Sequence, residues 1–237
     1  MNALLQALGD SSGLLLLAGT LLAFEAGLRL QRRLGGNALA NPVLVAVVLM
    51  GAVVKLTGTS GAAYMNAVRP LDLLLGPATV ALALPLYRSA PRIRQAIMPV
   101  VVGVLTGCAV AAISVVAIAA ALGAPSLLLR SIATKSITAA ISMGVAKEIG
   151  GDPQLAAALT VLTSISGAVI CVRVLDLASV RDPRARGLAT GVTAHGIGTA
   201  RMLAESAEAG AFSGLAMGLA GFAGGVLIPL VSEFLGR

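Results

Sequence analysis

Five long runs with almost no charge constrain this 237-residue chain more than any other feature: residues 14–24, 43–54, 95–122, 154–175 and 211–231. A helix needs about 20 apolar residues to cross the ~30 Å hydrocarbon core of a bilayer, and several of these runs approach or exceed that length. Charged residues make up 11% of the chain, against about 25% in a soluble domain, and mean hydropathy is +0.95. The sequence therefore predicts an all-α polytopic membrane protein that crosses the bilayer several times. The first apolar run follows Asp10 with no basic stretch before it, and no small-residue cleavage site precedes Arg29, so it reads as a span and not as a cleaved signal.

Composition excludes several function classes. The net charge of +7 fits the lysine and arginine excess of cytoplasmic loops. With 3% aromatics and no Trp, nothing supports base stacking, so no nucleic-acid partner is expected. Cys108 and Cys171 stand singly in apolar runs and predict neither a disulfide nor a metal site. One histidine, no CxxC and no nucleophile–base pair argue against an enzyme, a metal or any cofactor.

The chain reads as two related halves, 1–123 and 124–237. RLGGNALANPVLV (33–45) and KEIGGDPQLA (147–156) share Gly-Gly, then Asn-Pro or Asp-Pro, then an apolar run. Asn or Asp before Pro is a helix start, with the side chain capping and proline at the first helical position. GPATVALALPLYR (76–88) and GVTAHGIGTARML (191–203) follow, and each half ends in a Gly/Ala-rich helix. Paired halves with interrupted hydrophobic segments point to a secondary transporter whose site lies at the repeat interface. Asn41, Thr79 and Pro85 match polar positions of the second half, so the cationic part of the site is expected in that half alone.

Arginines gather at 29–33, 88–94 and 173–186. The positive-inside rule places all three loops in the cytoplasm. With spans at 12–30, 40–58, 71–87, 95–122 and 154–175, this requires 127–147 to dip in and return, and 187–203 to do so from the other face. About six crossings and two re-entrant segments result, with an external N-terminus. A strict inverted repeat would instead put one arginine cluster outside.

Lys135 lies among Ser131, Thr134, Ser136 and Thr138. At membrane depth a lysine costs about 2.5–3.5 kcal/mol on insertion scales, so one reading is an anion-binding cation in a wet cavity. The other is a lysine that snorkels to an interface near Arg130. His195 lies among Gly191, Thr193, Gly196 and Gly198. Three glycines at about 1 kcal/mol each make a continuous helix costly, and a broken helix presents free N–H groups to a carboxylate. His195 either carries a coupled proton or braces the break. Arg201 is a second anchor or the interfacial end of its segment. Glu25–Arg29 and Arg173–Asp176 read as local pairs at helix ends, and Lys147–Glu148 before Gly150-Gly151 as a helix C-terminus.

The chain resembles the LrgB/CidB family through NPVLVAVVL (41–49), LLGPATVALALPLYR (74–88), SIATKSITAAISMGVAKEIGG (131–151) and ATGVTAHGIGTARMLAESAEAGAFSGLAMGL (189–219). Where the family's usual motif is Leu-Pro-Lys-Ser, this chain has Ala133-Thr134-Lys135-Ser136, without the turn-favouring proline. The resemblance implies one of two activities. One is a holin- or antiholin-like modulator of murein hydrolase export and autolysis, working with a small LrgA/CidA-type membrane partner. The other, from the similar C-terminal half of the plastid glycolate/glycerate translocator, is carriage of small monocarboxylates. A nonspecific lesion has no use for interrupted segments carrying one lysine and one histidine, whereas a carboxylate carrier needs a cation, half-helix N-termini and hydroxyls. The expectation is a carrier with substrate at Lys135, Ser136, Thr138, Thr193 and His195, a backbone break at Gly191, Gly196 and Gly198, proton coupling at His195, and a homo-oligomeric assembly. The holin-like alternative rests on the small residues of 211–225, which let helices pack closely.

Overall fold

The computed structural model describes residues 11–34, 40–81 and 83–235. Gly35-Gly36 and the side chains of Thr79 and Pro85, named above, lie outside the described residues. Eleven helices are described: α1 (Ser11–Arg33), α2 (Pro42–Thr57), α3 (Gly61–Ala81), α4 (Ala83–Arg88), α5 (Ala90–Gln95), α6 (Ile97–Ala121), α7 (Ser126–Ala133), α8 (Ala139–Glu148), α9 (Pro153–Leu177), α10 (Pro183–Glu205) and α11 (Ala207–Leu235). No strand occurs among the described residues. By length and composition α1, α6, α9 and the Ala207–Leu230 part of α11 can cross a membrane, and α2 is a shorter apolar helix. The chain is an all-α, multi-pass membrane protein. It divides into two compact units, Met1–Ala83 and Leu84–Arg237.

In the first unit α1 packs against α2 and α3. Asn41 caps α2, its Oδ1 accepting from the Val43 and Leu44 amides at 2.9 and 3.4 Å, with Pro42 at the first helical position. Gly27 faces the backbone of Pro42, and the Thr20 and Tyr64 hydroxyls meet at 3.0 Å. Where a span was expected over 71–87, α3 starts earlier, at Gly61, and carries Pro70 and Pro77 within it.

In the second unit three long helices, α6, α9 and α11, frame two helical hairpins. Asp152 caps α9 through Oδ1 and the Leu155 amide at 2.8 Å. Its own N–H donates to Ser131 Oγ, also at 2.8 Å. The chain leaving α8 therefore returns beside α7, and α7 and α8 form a hairpin with residues 134–138 at its tip.

α10 is a hairpin too. His195 has φ 45° and ψ −128°, far from helical. Along a straight helix Arg186 and Glu205 would stand about 28 Å apart, yet their side chains meet at 2.6 Å. A Cβ on Gly198 would come within 2.8 Å of the Thr190 carbonyl oxygen, eight residues back. Two arms, 183–194 and 196–205, thus fold against each other with His195 at the turn.

The hairpins enter from opposite ends. Along α11, Ala209 and Ser213 meet α10 near Gly187 and Gly191, while Gly221, Gly224 and Ile228 meet Ile141, Ile137 and Val145 of the first hairpin. α6 follows the same order: Gly103 and Gly107 face Leu188 and Val192, and Val116 packs on the first hairpin. The core where α6, α10 and α11 meet holds Val104, Cys108, Val192, Phe212, Ala216 and Ala220. The re-entrant reading of 127–147 and 187–203 corresponds to these two hairpins.

Charge marks one end of this unit. Arg92 meets Glu208 at 3.5 Å. Arg186, 7% exposed, donates to Asp176 at 2.7 Å, to Glu205 at 2.6 Å and to the Val180 carbonyl at 3.0 Å. This clasp ties the C-terminus of α9 to both arms of α10 at the hairpin base. Nearby Asp182 caps α10, and hydrogen bonds from Arg184 hold its carboxyl below the usual carboxylate range. The loops 88–94 and 173–186 thus share one end.

Candidate functional site

α9 brings the two tips together. On its first half Thr160 Oγ1 donates to Ser142 Oγ at 3.0 Å, and Ser142 also meets Thr134 Oγ1 at 2.7 Å, which fixes the tip of the first hairpin. One turn on, Ser164 Oγ lies 3.0 Å from His195 Nδ1, which fixes the tip of the second. Ser164 sits one residue from the midpoint of a helix about 37 Å long, so the tips meet beside the middle of α9.

Lys135 is half-buried at the first tip, and its ammonium donates to Ser136 Oγ at 2.9 Å. Its charge acts on the imidazole of His195 at the second tip. The Ser136 backbone carbonyl faces the same ring. His195 is 2% exposed, and its Nε2 is the one buried side-chain polar atom among the described residues without a hydrogen-bond partner. The carbonyl's approach therefore falls short of hydrogen-bond geometry.

Two helix N-termini also point here. α8 runs from the tip towards the base, so its positive end is at the tip, and Thr138 at its N-cap makes no side-chain cap bond. The second arm of α10 likewise starts at the tip. Amides and half-helix dipoles at such ends favour an anion. A cavity of about 540 Å³ runs along the first hairpin from Ser126 and Arg130 at its base to Ser136 at its tip, lined otherwise by Ser232 and by apolar residues of α6, α11 and the hairpin itself.

The structure gathers Lys135, Ser136 and His195, with half-buried Thr138 beside them. Thr193 is exposed, and its hydroxyl donates to the Ala189 carbonyl at 2.8 Å. The glycines take other places than the break, which falls on His195 itself. Gly191 lies against the Ser213 carbonyl, where a Cβ would collide; Gly198 lets the arms close; Gly196 faces open space. Arg201 is half-buried, one turn or so from Glu205 and thus nearer the base than the tip. Sequence reasoning missed Ser164, Thr160 and Ser142. The four-residue spacing of Thr160 and Ser164 on one face of an apolar run was the available signal.

No solved structure matches the chain significantly. Among curated proteins it is similar to the "Holin-like protein CidB" of Staphylococcus epidermidis, 29% identical over 98% of both chains. The protein of the same name from Staphylococcus aureus is 29% identical over 92% of this chain and 95% of its own. The "Uncharacterized protein YxaC" of Bacillus subtilis is 33% identical over 80% of this chain and 83% of its own. The profile of the LrgB-like family matches residues 20–234, nearly the whole of both units, and the chain belongs to the LrgB-like family.

Proposed function

We propose that this protein is a secondary carrier of small monocarboxylates of the glycolate, glycerate, lactate or pyruvate type. It works by alternating access, in a bacterial inner membrane, coupled to protons through His195. The observation that carries the reading is the convergence, beside the middle of α9, of one ammonium group, one unpartnered imidazole nitrogen and two helix N-termini. Lys135 neutralises the carboxylate, Ser136 and Thr138 meet substrate oxygens, and Thr193, turned outward, stands apart from them. The arginine-rich end of the second unit faces the cytoplasm by the positive-inside rule. On this reading the chain is no enzyme, the halves 1–123 and 124–237 are structural repeats, and the protein assembles with copies of itself or with an LrgA/CidA-type partner.

Radiolabelled glycolate and pyruvate uptake into proteoliposomes tests this. Saturable uptake is expected in the wild type and its loss in Lys135→Ala; equal uptake by both removes Lys135 from the site.

The names of the staphylococcal relatives favour a second reading, a holin-like membrane protein. Its small residues in 211–225 include Ala211, Ala216 and Ala220, which are already buried within the second unit. Dye-loaded vesicles separate the two: a lesion releases solutes of any charge, and a carrier keeps them in.

A further inference from the structure

The Ser164–His195 contact does more than hold a hairpin in place. Ser164 Oγ and His195 Nδ1 are 3.0 Å apart and both side chains are buried. Two assignments of the proton are open to such a pair. If Nδ1–H donates to Ser164, the serine hydrogen has no acceptor among the described residues and Nε2 keeps a bare lone pair, so two buried groups go unmatched. If the serine hydroxyl donates to Nδ1, only Nε2–H remains, as a donor. Buried polar groups left without partners are costly, so the second assignment wins. Lys135 and the Ser136 backbone act on this same ring, whose Nδ1 Ser164 already occupies.

The backbone supports the same view. His195 occupies φ 45°, where glycine is at ease and other residues are strained. Glycines stand at 191, 196 and 198, yet the strained position keeps a side chain. That side chain has two ring nitrogens, one held by Ser164 and one unpartnered.

We infer that Ser164 is a positioning residue: it donates to Nδ1, sets the Nε2–H tautomer of His195, and aims that N–H beside Lys135 as a second donor to a bound oxyanion. The donor role rests on the carboxylate-binding reading above; the tautomer does not.

His195 is the sole histidine of the chain, so 15N-histidine labelling of the full-length protein in nanodiscs gives one pair of ring resonances. The wild type is expected to show an unprotonated, hydrogen-bonded Nδ1 and a protonated Nε2. Ser164→Ala should move Nδ1 and mix the tautomers. Ser164→Thr, which keeps a hydroxyl, and Thr163→Ala, whose hydroxyl bonds the Leu159 carbonyl, should keep the wild-type pattern. A protonated Nδ1 in the wild type, as neutral ring or imidazolium, overturns the assignment, as does a Ser164→Ala spectrum identical to wild type. Glycolate titrated into the wild type should shift Nε2 more than Nδ1, and Ser164→Ala should weaken its binding roughly tenfold, as expected for one misaimed hydrogen bond. Glycolate that binds without moving Nε2 overturns the donor role. Glycolate that fails to bind at all refutes the carrier reading and leaves the tautomer result to stand or fall on the spectra alone.

Discussion

His195→Gly and His195→Ala form a matched pair that isolates the backbone at the second hairpin tip. Both lose the imidazole and its bond to Ser164, so those contributions cancel in the comparison. In an ordinary helix interior alanine is the more stable by about 1 kcal/mol. Here φ is 45° and ψ −128°, a conformation that costs a residue with a Cβ about 1–3 kcal/mol and glycine almost nothing. The order should therefore invert, with glycine ahead by about 1–3 kcal/mol. For a chain of this size 1 kcal/mol moves the midpoint by about 2–4 °C, which puts the glycine variant roughly 2–12 °C above the alanine variant. Against the wild type, glycine relieves the same strain but loses one hydrogen bond, about 0.5–1.5 kcal/mol, together with the packing of the ring, so the two fall close together. On the carrier reading, both variants should lose glycolate uptake. The assay is thermal unfolding of purified protein in one detergent, followed by loss of soluble monomer and by helical signal. An alanine variant as stable as the glycine variant would refute the turn at residue 195, and with it the folding of α10 into two arms.

Two further substitutions test the packing. Gly191→Ala would drive a methyl into the Ser213 carbonyl and should destabilise by about 1–3 kcal/mol, whereas Gly196→Ala, which meets nothing within 4 Å, should stay within about 0.5 kcal/mol of wild type; thermal unfolding of the two side by side reads the difference. Arg186→Ala removes four hydrogen bonds at the hairpin base, but Asp176 and Glu205 are 61% and 33% exposed and can rehydrate, so the expected loss is about 2 kcal/mol, seen as faster hydrogen exchange in residues 183–205 with α6 unaffected.

Much of this architecture was legible in the chain because bilayer physics acts on local patterns. Uncharged runs marked α1, α6, α9 and α11 but misplaced the span at 71–87, Asn41-Pro42 and Asp152-Pro153 gave helix starts that both cap as expected, and the positive-inside reading of the arginine clusters had two segments turn back. The turn at His195 was harder to place. Glycine marks where a backbone can bend, but at Gly191 and Gly198 the missing side chain serves close approach between helices, which no local pattern distinguishes from a bend. Ser164 was invisible for a related reason. A serine in an apolar run satisfies itself on its own helix as readily as it reaches another, and only the fold shows that Thr163 does the first and Ser164 the second. The clasp of Arg186 with Asp176 and Glu205 depends on the reversal of α10 and could not precede it.

The distribution of satisfied polar groups bears on function more directly than any single contact. Lipid offers no hydrogen bonds, so interruptions of helices within it persist only where protein groups cover them. At the first tip Ser142 bonds both Thr134 and Thr160. Along α10 Thr199 donates to the His195 carbonyl and meets Ser213, and Thr190 meets Cys171. These pairs are closed and need nothing from outside. Where the tips face each other the balance differs: an ammonium with one bond to Ser136, an imidazole nitrogen with none, and the start of α8 without a side-chain cap. With Nε2 protonated as inferred above, unmatched donors gather at that one place, and low dielectric magnifies the imbalance. A cation would worsen it and a neutral solute would leave the ammonium uncompensated. On the carrier reading proposed above, an anion small enough to lie between two hairpin tips would correct both charge and hydrogen bonding at once.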